Sequence, residues 1–231
     1  MLFRSFYGRR VLDLGVGTGR TAGVLQPLAG RYVCIDYARE MVEHVRRVLP
    51  EVEVHMADMR DLSAWDGGAF DFIFGPDNVL DAVCHEDRLR VLAEVHRLLP
   101  ADGLLMFSVH NRRYDLAQCG PRLEFSRNPV TQMVRVAQYL RRLMNHRRIG
   151  RLRRLEKDYA VLNDIGHDFQ LLHYYIDWEA QVRQLEAAGF RVVDIIKSDG
   201  RSLRTGDANA ANRHDDASSP SLMYVAARKQ A

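Results

Sequence analysis

Apolar residues recur along this chain with two alternating periods. Short apolar runs bounded by charge predict strands from Arg9 to Leu14, Tyr32 to Asp36, Val52 to Met56, Phe70 to Phe74 and Leu104 to Val109. Apolar positions at helical spacing predict helices between them: about Thr18 to Leu28, Ala38 to Leu49 (closed by Pro50), and Glu86 to Leu99. In the last of these Leu89, Leu92, Val95, Leu98 and Leu99 share a face, and Pro100 and Gly103 end the run. After a long basic stretch come a helix from Trp178 to Ala188, a stop at Gly189, a strand from Phe190 to Ile196, a polar loop from Asp199 to Ser219 and a last strand from Leu222 to Ala227. The run LLMFSV is apolar almost throughout, as in a strand covered on both faces. Strands alternating with helices imply an α/β fold with a mostly parallel sheet and helices on both faces. The two final strands have no helix between them and so pair as a hairpin, which predicts one antiparallel edge strand.

Composition narrows the class. The chain has 231 residues, 47% hydrophobic and 27% charged, which suits one domain over 1–231 with an insertion at 111–172. Cys34, Cys84 and Cys119 are scattered and form no CxxC pair, so neither a disulfide framework nor a metal site is expected. No apolar run reaches the length of a membrane span, and the opening MLFRSFYGRR is too polar for a signal peptide; a cytoplasmic location is expected. Charge is unevenly placed. Residues 112–157 carry thirteen Lys/Arg against three acids, whereas the rest carries 20 basic against 27 acidic residues. Such segregation speaks to partners rather than to fold.

Candidate chemistry gathers where the strands end. In an open parallel sheet, ligands bind outside the carboxyl ends of the strands. The first turn reads DLGVGTG, with Asp13, Gly15, Gly17 and Gly19, and lets backbone bend sharply against a ligand. Asp36 ends the second strand 17 residues after Gly19, where a carboxylate can accept from two ribose hydroxyls. Met41 lies further on, suited to an adenine face, and Asp58-Met59 follows the third strand, where an acid can accept from an adenine amino group. A nicotinamide fingerprint would need glycine where Arg20 stands, and no Lys-Ser/Thr of a P-loop is present.

The segments VLDLGVGTG, VCIDYAREM, ADMRDL, FDFIFGPDNVLDAV and EVHRLLPADGLLMFSVHN together resemble the class I S-adenosylmethionine-dependent methyltransferases. The likeness is close over residues 9–110 and weaker after that. It implies a Rossmann-like, seven-stranded, mostly parallel sheet with one antiparallel edge strand, and S-adenosyl-L-methionine as cofactor. It also implies methionine-moiety contacts at Gly15 and Gly17, ribose contact at Asp36 with Tyr37 beside it, and adenine contacts at Met41, Asp58 and Met59. Asp77 is expected to meet the methionine ammonium. The family usually carries helices before the first strand; only about eight residues precede it here, so either cover comes from the insertion or a partner, or the given start omits residues.

Methyl transfer from a sulfonium needs an aligned nucleophile, excluded water and, for a hydroxyl, a base. His110, ending the fifth strand, is the preferred base, because imidazole titrates near neutral pH. Asp81 is expected to orient the acceptor or the cofactor. Asn78 and the alternating pair His173 and Tyr175 are expected to line the acceptor pocket, with Tyr174 turned the other way. Val130, Met133, Val134, Ala137, Leu140 and Met144 share one helical face among many arginines. Three readings of that helix stay open: its apolar face caps the domain while the arginines are solvated; residues 129–154 lie on an anionic membrane surface; or the arginines bind a phosphate-rich acceptor such as RNA. Nucleic acid is the less favoured partner, since Tyr139 is the sole aromatic between Phe125 and Tyr159 and GPDN stands where the family's base-methylating members carry NPPY. The expected activity is methylation, at oxygen, of a small-molecule or saccharide-like acceptor. An RNA methyltransferase and a non-catalytic cofactor-binding partner protein are the alternatives.

Overall fold

The computed structural model describes residues 7–203 and 217–229. The first half follows the alternation expected: β1 (Arg10–Leu14), α1 (Ala22–Leu25), β2 (Arg31–Asp36), α2 (Arg39–Val48), β3 (Glu53–Met56), β4 (Phe72–Gly75), α3 (His85–Leu98) and β5 (Leu104–Asn111). Strands β3-β2-β1-β4-β5 are neighbours in that order and run parallel. The order reverses between β1 and β4, which opens a crevice at their carboxyl ends.

Successive side chains of a strand point to opposite faces, and each face has its own core. Val11, Phe72 and Phe74 pack with Val42 and Val45 of α2. Leu12, Leu14 and Ile73 pack with Val91, Leu92, Val95 and Leu98 of α3. The first helix is much shorter than the periodicity predicts. The glycine turn keeps left-handed backbone as far as Gly19, and Pro27 confines the chain after α1 to a 3-10 turn, Gln26–Leu28.

The second half adds α4 (Pro129–Gly150), β6 (Arg154–Leu155), β7 (Tyr159–Leu162), β8 (His173–Ile176), α5 (Trp178–Ala187), β9 (Phe190–Lys197) and β10 (Ser221–Arg228). Strand β10 runs antiparallel between β5 and β9, so this pair forms the antiparallel end of the sheet. Much of the predicted polar loop (204–216) lies outside the described residues. The insertion contributes more than a helix. Strand β8 pairs with the tip of β5, at His110 and Asn111, and carries β7 and β6 with it, so the sheet has ten strands among the described residues. Tyr159, Val161 and Tyr174 of this extension line a cavity that adjoins the crevice.

Helix α4 corrects one expectation. Asn128 caps it by accepting from the Val130 and Thr131 amides at 2.9 and 3.2 Å, and Pro129 opens its first turn. Its apolar stripe does not cap the domain. Met133 is 74% exposed, and no residue of the helix is buried. The half-buried side mixes Tyr139, Leu143 and Ile149 with polar groups: Arg142 reaches Asp168 at 2.8 Å, and Asn145 donates to the Asp168 carbonyl at 3.0 Å.

Candidate active site

The glycine turn is held from below and from the side. Asp13 is wholly buried beneath it and accepts from Thr21 Oγ1 at 2.8 Å and from the Tyr32 hydroxyl. Burial pushes its carboxyl up to about 6, against the stabilising hydrogen bonds of Tyr32 and Thr21. Asp13 thus anchors the loop from behind instead of facing the crevice. Asp36, 8% exposed at the end of β2, accepts from the Gly17 amide and from the Ala38 amide, both at 2.9 Å. Gly15 is left-handed, with φ +71°, and a Cβ there would come within 2.4 Å of Val79 Cγ2. Only glycine fits.

In front of this turn lies a cavity of about 440 Å³, within the usual range for small-ligand sites. Gly15, Asp36, Tyr37, Asp58 and Met59 line it, as expected, together with Val79. Met41, on α2, is half-buried and does not line it. Gly17 and Gly19 shape the turn without lining the cavity. Asp77 is exposed and ion-paired to Arg20. Asp58 is held below its usual range by Arg60, which grips it at 2.6 Å and bridges to Asp87 at 2.9 Å.

These features suit an adenosyl group. Bare backbone at Gly15 admits a close ligand. Each Asp36 carboxylate oxygen carries a backbone hydrogen bond and retains lone-pair capacity for a ribose hydroxyl. The apolar flank of Val79, Ala57 and Met59 beside Asp58 suits a purine edge and face.

Beyond the cavity the predicted catalytic residues meet. His110 Nδ1 lies 2.9 Å from Asp81 Oδ2, and the His110 amide donates to the same oxygen at 2.7 Å. Asp81 is buried and its other oxygen pairs with Arg88 Nη1 at 2.7 Å. Arg88, equally buried, is fully committed: to Leu80 O, Gln181 and Gln184 at 3.0, 2.7 and 3.0 Å, with its guanidinium 4.7 Å from the Tyr174 ring centre. Asn78 sits in left-handed backbone and places its Nδ2 3.2 Å from His110 Nε2 and 3.0 Å from Ser221 Oγ. Its Oδ1 is buried with no hydrogen-bond partner among the described residues.

His173 and Tyr175 share one side of β8, and Tyr174 takes the other. His173 Nδ1 is 3.0 Å from Asp164 Oδ2, and the Tyr175 hydroxyl donates to the same oxygen. Burial would raise Asp164, but these two donors hold it below the ordinary carboxylate range, and Asp164 in turn raises His173. His110 stacks against both aromatic neighbours, 5.1 Å from the His173 ring and 4.8 Å from Tyr175. Ligand atoms of His110, Asp164 and His173 lie within 4.8 Å of one another, so the trio has the composition of a metal site. Its hydrogen bonds arrange it as two stacked imidazole–carboxylate dyads, His110–Asp81 and His173–Asp164.

A second cavity of about 540 Å³ shares Ala82, Val83 and Cys84 with the first. One wall is aromatic: Tyr159 stacks on His85 at 4.5 Å and on Tyr174 at 4.8 Å, and His85 Nδ1 meets the Tyr174 hydroxyl at 2.8 Å. Arg151, Arg153 and Arg154 also line the cavity. Arg88, Asp164 and Tyr32 are absent from the sequence-based site. Arg88 is one of several charges between Glu86 and Arg97, and no local motif marks it or Asp164.

A parallel sheet with a glycine turn, an acid at the end of β2 and a crevice between β1 and β4 is the arrangement that the resemblance to the class I S-adenosylmethionine-dependent methyltransferases implies. Residues 11–103 match the methyltransferase-domain family. A probable S-adenosylmethionine-dependent methyltransferase of Mycobacterium tuberculosis is 32% identical over 111 residues, which are 45% of this chain and 36% of that protein. The match thus spans about a third of the curated relative's length. Solved structures share the fold. An S-adenosylmethionine-dependent methyltransferase from Mesorhizobium loti is 18% identical with TM-score 0.62, over 98% of this chain and 96% of that one. A Burkholderia thailandensis 1,6-didemethyltoxoflavin-N1-methyltransferase, solved with 1,6-didemethyltoxoflavin and S-adenosylhomocysteine, is 16% identical with TM-score 0.59, over 97% and 72% respectively.

Proposed function

We propose that this protein transfers the methyl group of S-adenosylmethionine to an oxygen of a small, saccharide-like acceptor, with His110 as general base. The observation that carries this reading is the buried relay Arg88–Asp81–His110 at the ligand end of β5. When bound, the cofactor supplies a methyl carbon activated by its positive sulfur. Asp36 would hold the ribose, Asp58 and Met59 the adenine, and the Gly15 backbone the methionine end.

Asp81 accepts from His110 Nδ1–H, which leaves Nε2 as the basic nitrogen. Arg88 balances the Asp81 charge, so the carboxylate orients the imidazole without taking its proton. An acceptor hydroxyl would replace the Asn78 contact at Nε2 and give its proton there as the oxygen attacks. The unpartnered Asn78 Oδ1 beside it offers a second hydrogen-bond acceptor to such a polyol. The aromatic wall formed by His85, Tyr159 and Tyr174 supports a saccharide-like acceptor, because the apolar face of a sugar ring packs on such a surface. An RNA acceptor gains no comparable support, since α4 exposes aliphatic side chains rather than stacking platforms.

The test uses methyl-labelled cofactor with separate pools of hydroxylated metabolites, lipids and RNA. Label is expected in the hydroxylated pool. His110→Gln is expected to lower kcat by about 10²–10⁴-fold while leaving cofactor affinity unchanged. Label confined to RNA, no label in any pool, or an unaltered kcat in the variant would overturn the proposal.

A further inference from the structure

Helix α4 leaves a long apolar stripe exposed, although Tyr139, Leu143 and Ile149 are half-buried on its other side. Val130, Met133, Leu140 and Met144, at helical spacing, are 70, 74, 51 and 66% exposed. On the domain side Arg142, Asn145 and His146 meet the loop around Asp168 and Phe169. The same outward spacing runs on through Arg147, Arg148 and Arg151, all exposed. From Pro129 to Gly150 there are five arginines and no acid. The outward surface is therefore a stripe of aliphatic side chains about 21 Å long that ends in a cluster of cations.

We infer that this face of α4 lies flat on an anionic lipid bilayer. Its two chemistries call for one partner that offers both hydrocarbon and negative charge, and a bilayer interface does so. The five arginines keep the helix from spanning, and among the described residues no helix is long and apolar enough to cross a membrane. A second copy fits the same face poorly, because α4 holds no acid to neutralise the arginines of a partner helix. RNA would satisfy the arginines but leave the aliphatic stripe in water. The docked orientation has a use. Arg151, Arg153 and Arg154, at the cationic end, also wall the second cavity, so docking sets that cavity beside the lipid headgroups.

Co-sedimentation with vesicles tests this directly and needs no turnover, so its outcome is separable from the methyl-transfer reading. The full chain is mixed with vesicles of phosphatidylglycerol and phosphatidylcholine, and with phosphatidylcholine alone. Binding is expected only to the anionic vesicles. It should fall about fivefold for each arginine removed in Arg147→Ala and Arg148→Ala, and at least tenfold in Leu140→Glu. These positions are exposed, so circular dichroism melts of the variants should match the wild type. Failure to bind anionic vesicles, equal binding to neutral ones, or unchanged affinity in Leu140→Glu overturns the inference. So does a stable dimer in sedimentation velocity that Leu140→Glu dissociates, or tight RNA binding that displaces the vesicles.

Discussion

Replacing Arg88 by methionine would leave the Asp81 carboxylate buried without its counter-ion. The pair is 2.7 Å apart, and both side chains are fully buried. Asp81 would keep only the His110 amide and imidazole as donors. Breaking such a pair from one side costs about 3–5 kcal/mol, most of it the penalty of a stranded charge. With a urea m-value of about 2–3 kcal/mol/M, the unfolding midpoint should drop by about 1–2 M. The double variant Asp81→Asn/Arg88→Met removes both charges. It should therefore be more stable than the sum of the two single effects allows, with a coupling of about 1–3 kcal/mol. Equilibrium urea unfolding of the four proteins, followed by tryptophan fluorescence, measures the cycle. Effects that simply add, within about 0.5 kcal/mol, would refute the claim that Arg88 exists to balance Asp81. Activity separates the roles further. The double variant should regain stability without regaining turnover, because a neutral amide at position 81 no longer fixes His110 with a charge.

Gly15→Ala should abolish measurable cofactor binding, since a Cβ would press on Val79 in left-handed backbone; near wild-type affinity by calorimetry would show that the turn gives way. Asp13→Asn should change how stability depends on pH. The folded state raises this carboxyl from 3.8 to about 6, so the stabilisation from its proton is full below about pH 4 and lost as pH rises through 6. The wild type should lose on the order of 3 kcal/mol across that window relative to the variant. Parallel stability curves for the two proteins would contradict the buried placement of Asp13. Asp164→Asn should lower the His173 titration midpoint seen by NMR, because Asp164 is the main cause of its elevation; an unmoved midpoint would dissolve the second dyad.

The half of the molecule that forms the crevice was legible because its signals are local. Alternating strands, a glycine run and acids at strand ends each follow from a few adjacent residues, and Asp36, Asp58 and Met59 line the cavity as those signals imply. The features that escaped depend on long-range contact. Periodicity marks an apolar face on α4 but not whether it meets protein or water, and here it is left outside. Arg88 shares its helix with other charges, and only the fold shows that it alone among them is buried against Asp81, Gln181 and Gln184. Strands β6 and β7 are short and lie in a strongly basic stretch, so propensity says little, and β8 finds its place only because β4 ends before β5 does. Met41 sits on the helix that follows Asp36, yet it is not among the residues that line the cavity.

Isothermal titration of S-adenosylmethionine into the wild type and Asp36→Ala bears most directly on the whole. Saturable one-site binding is expected for the wild type. In the variant a weakening of about 10²–10³-fold is expected, from two lost charge-assisted hydrogen bonds. Equal affinity in the two proteins would mean that the crevice at the end of β2 is not where the cofactor sits.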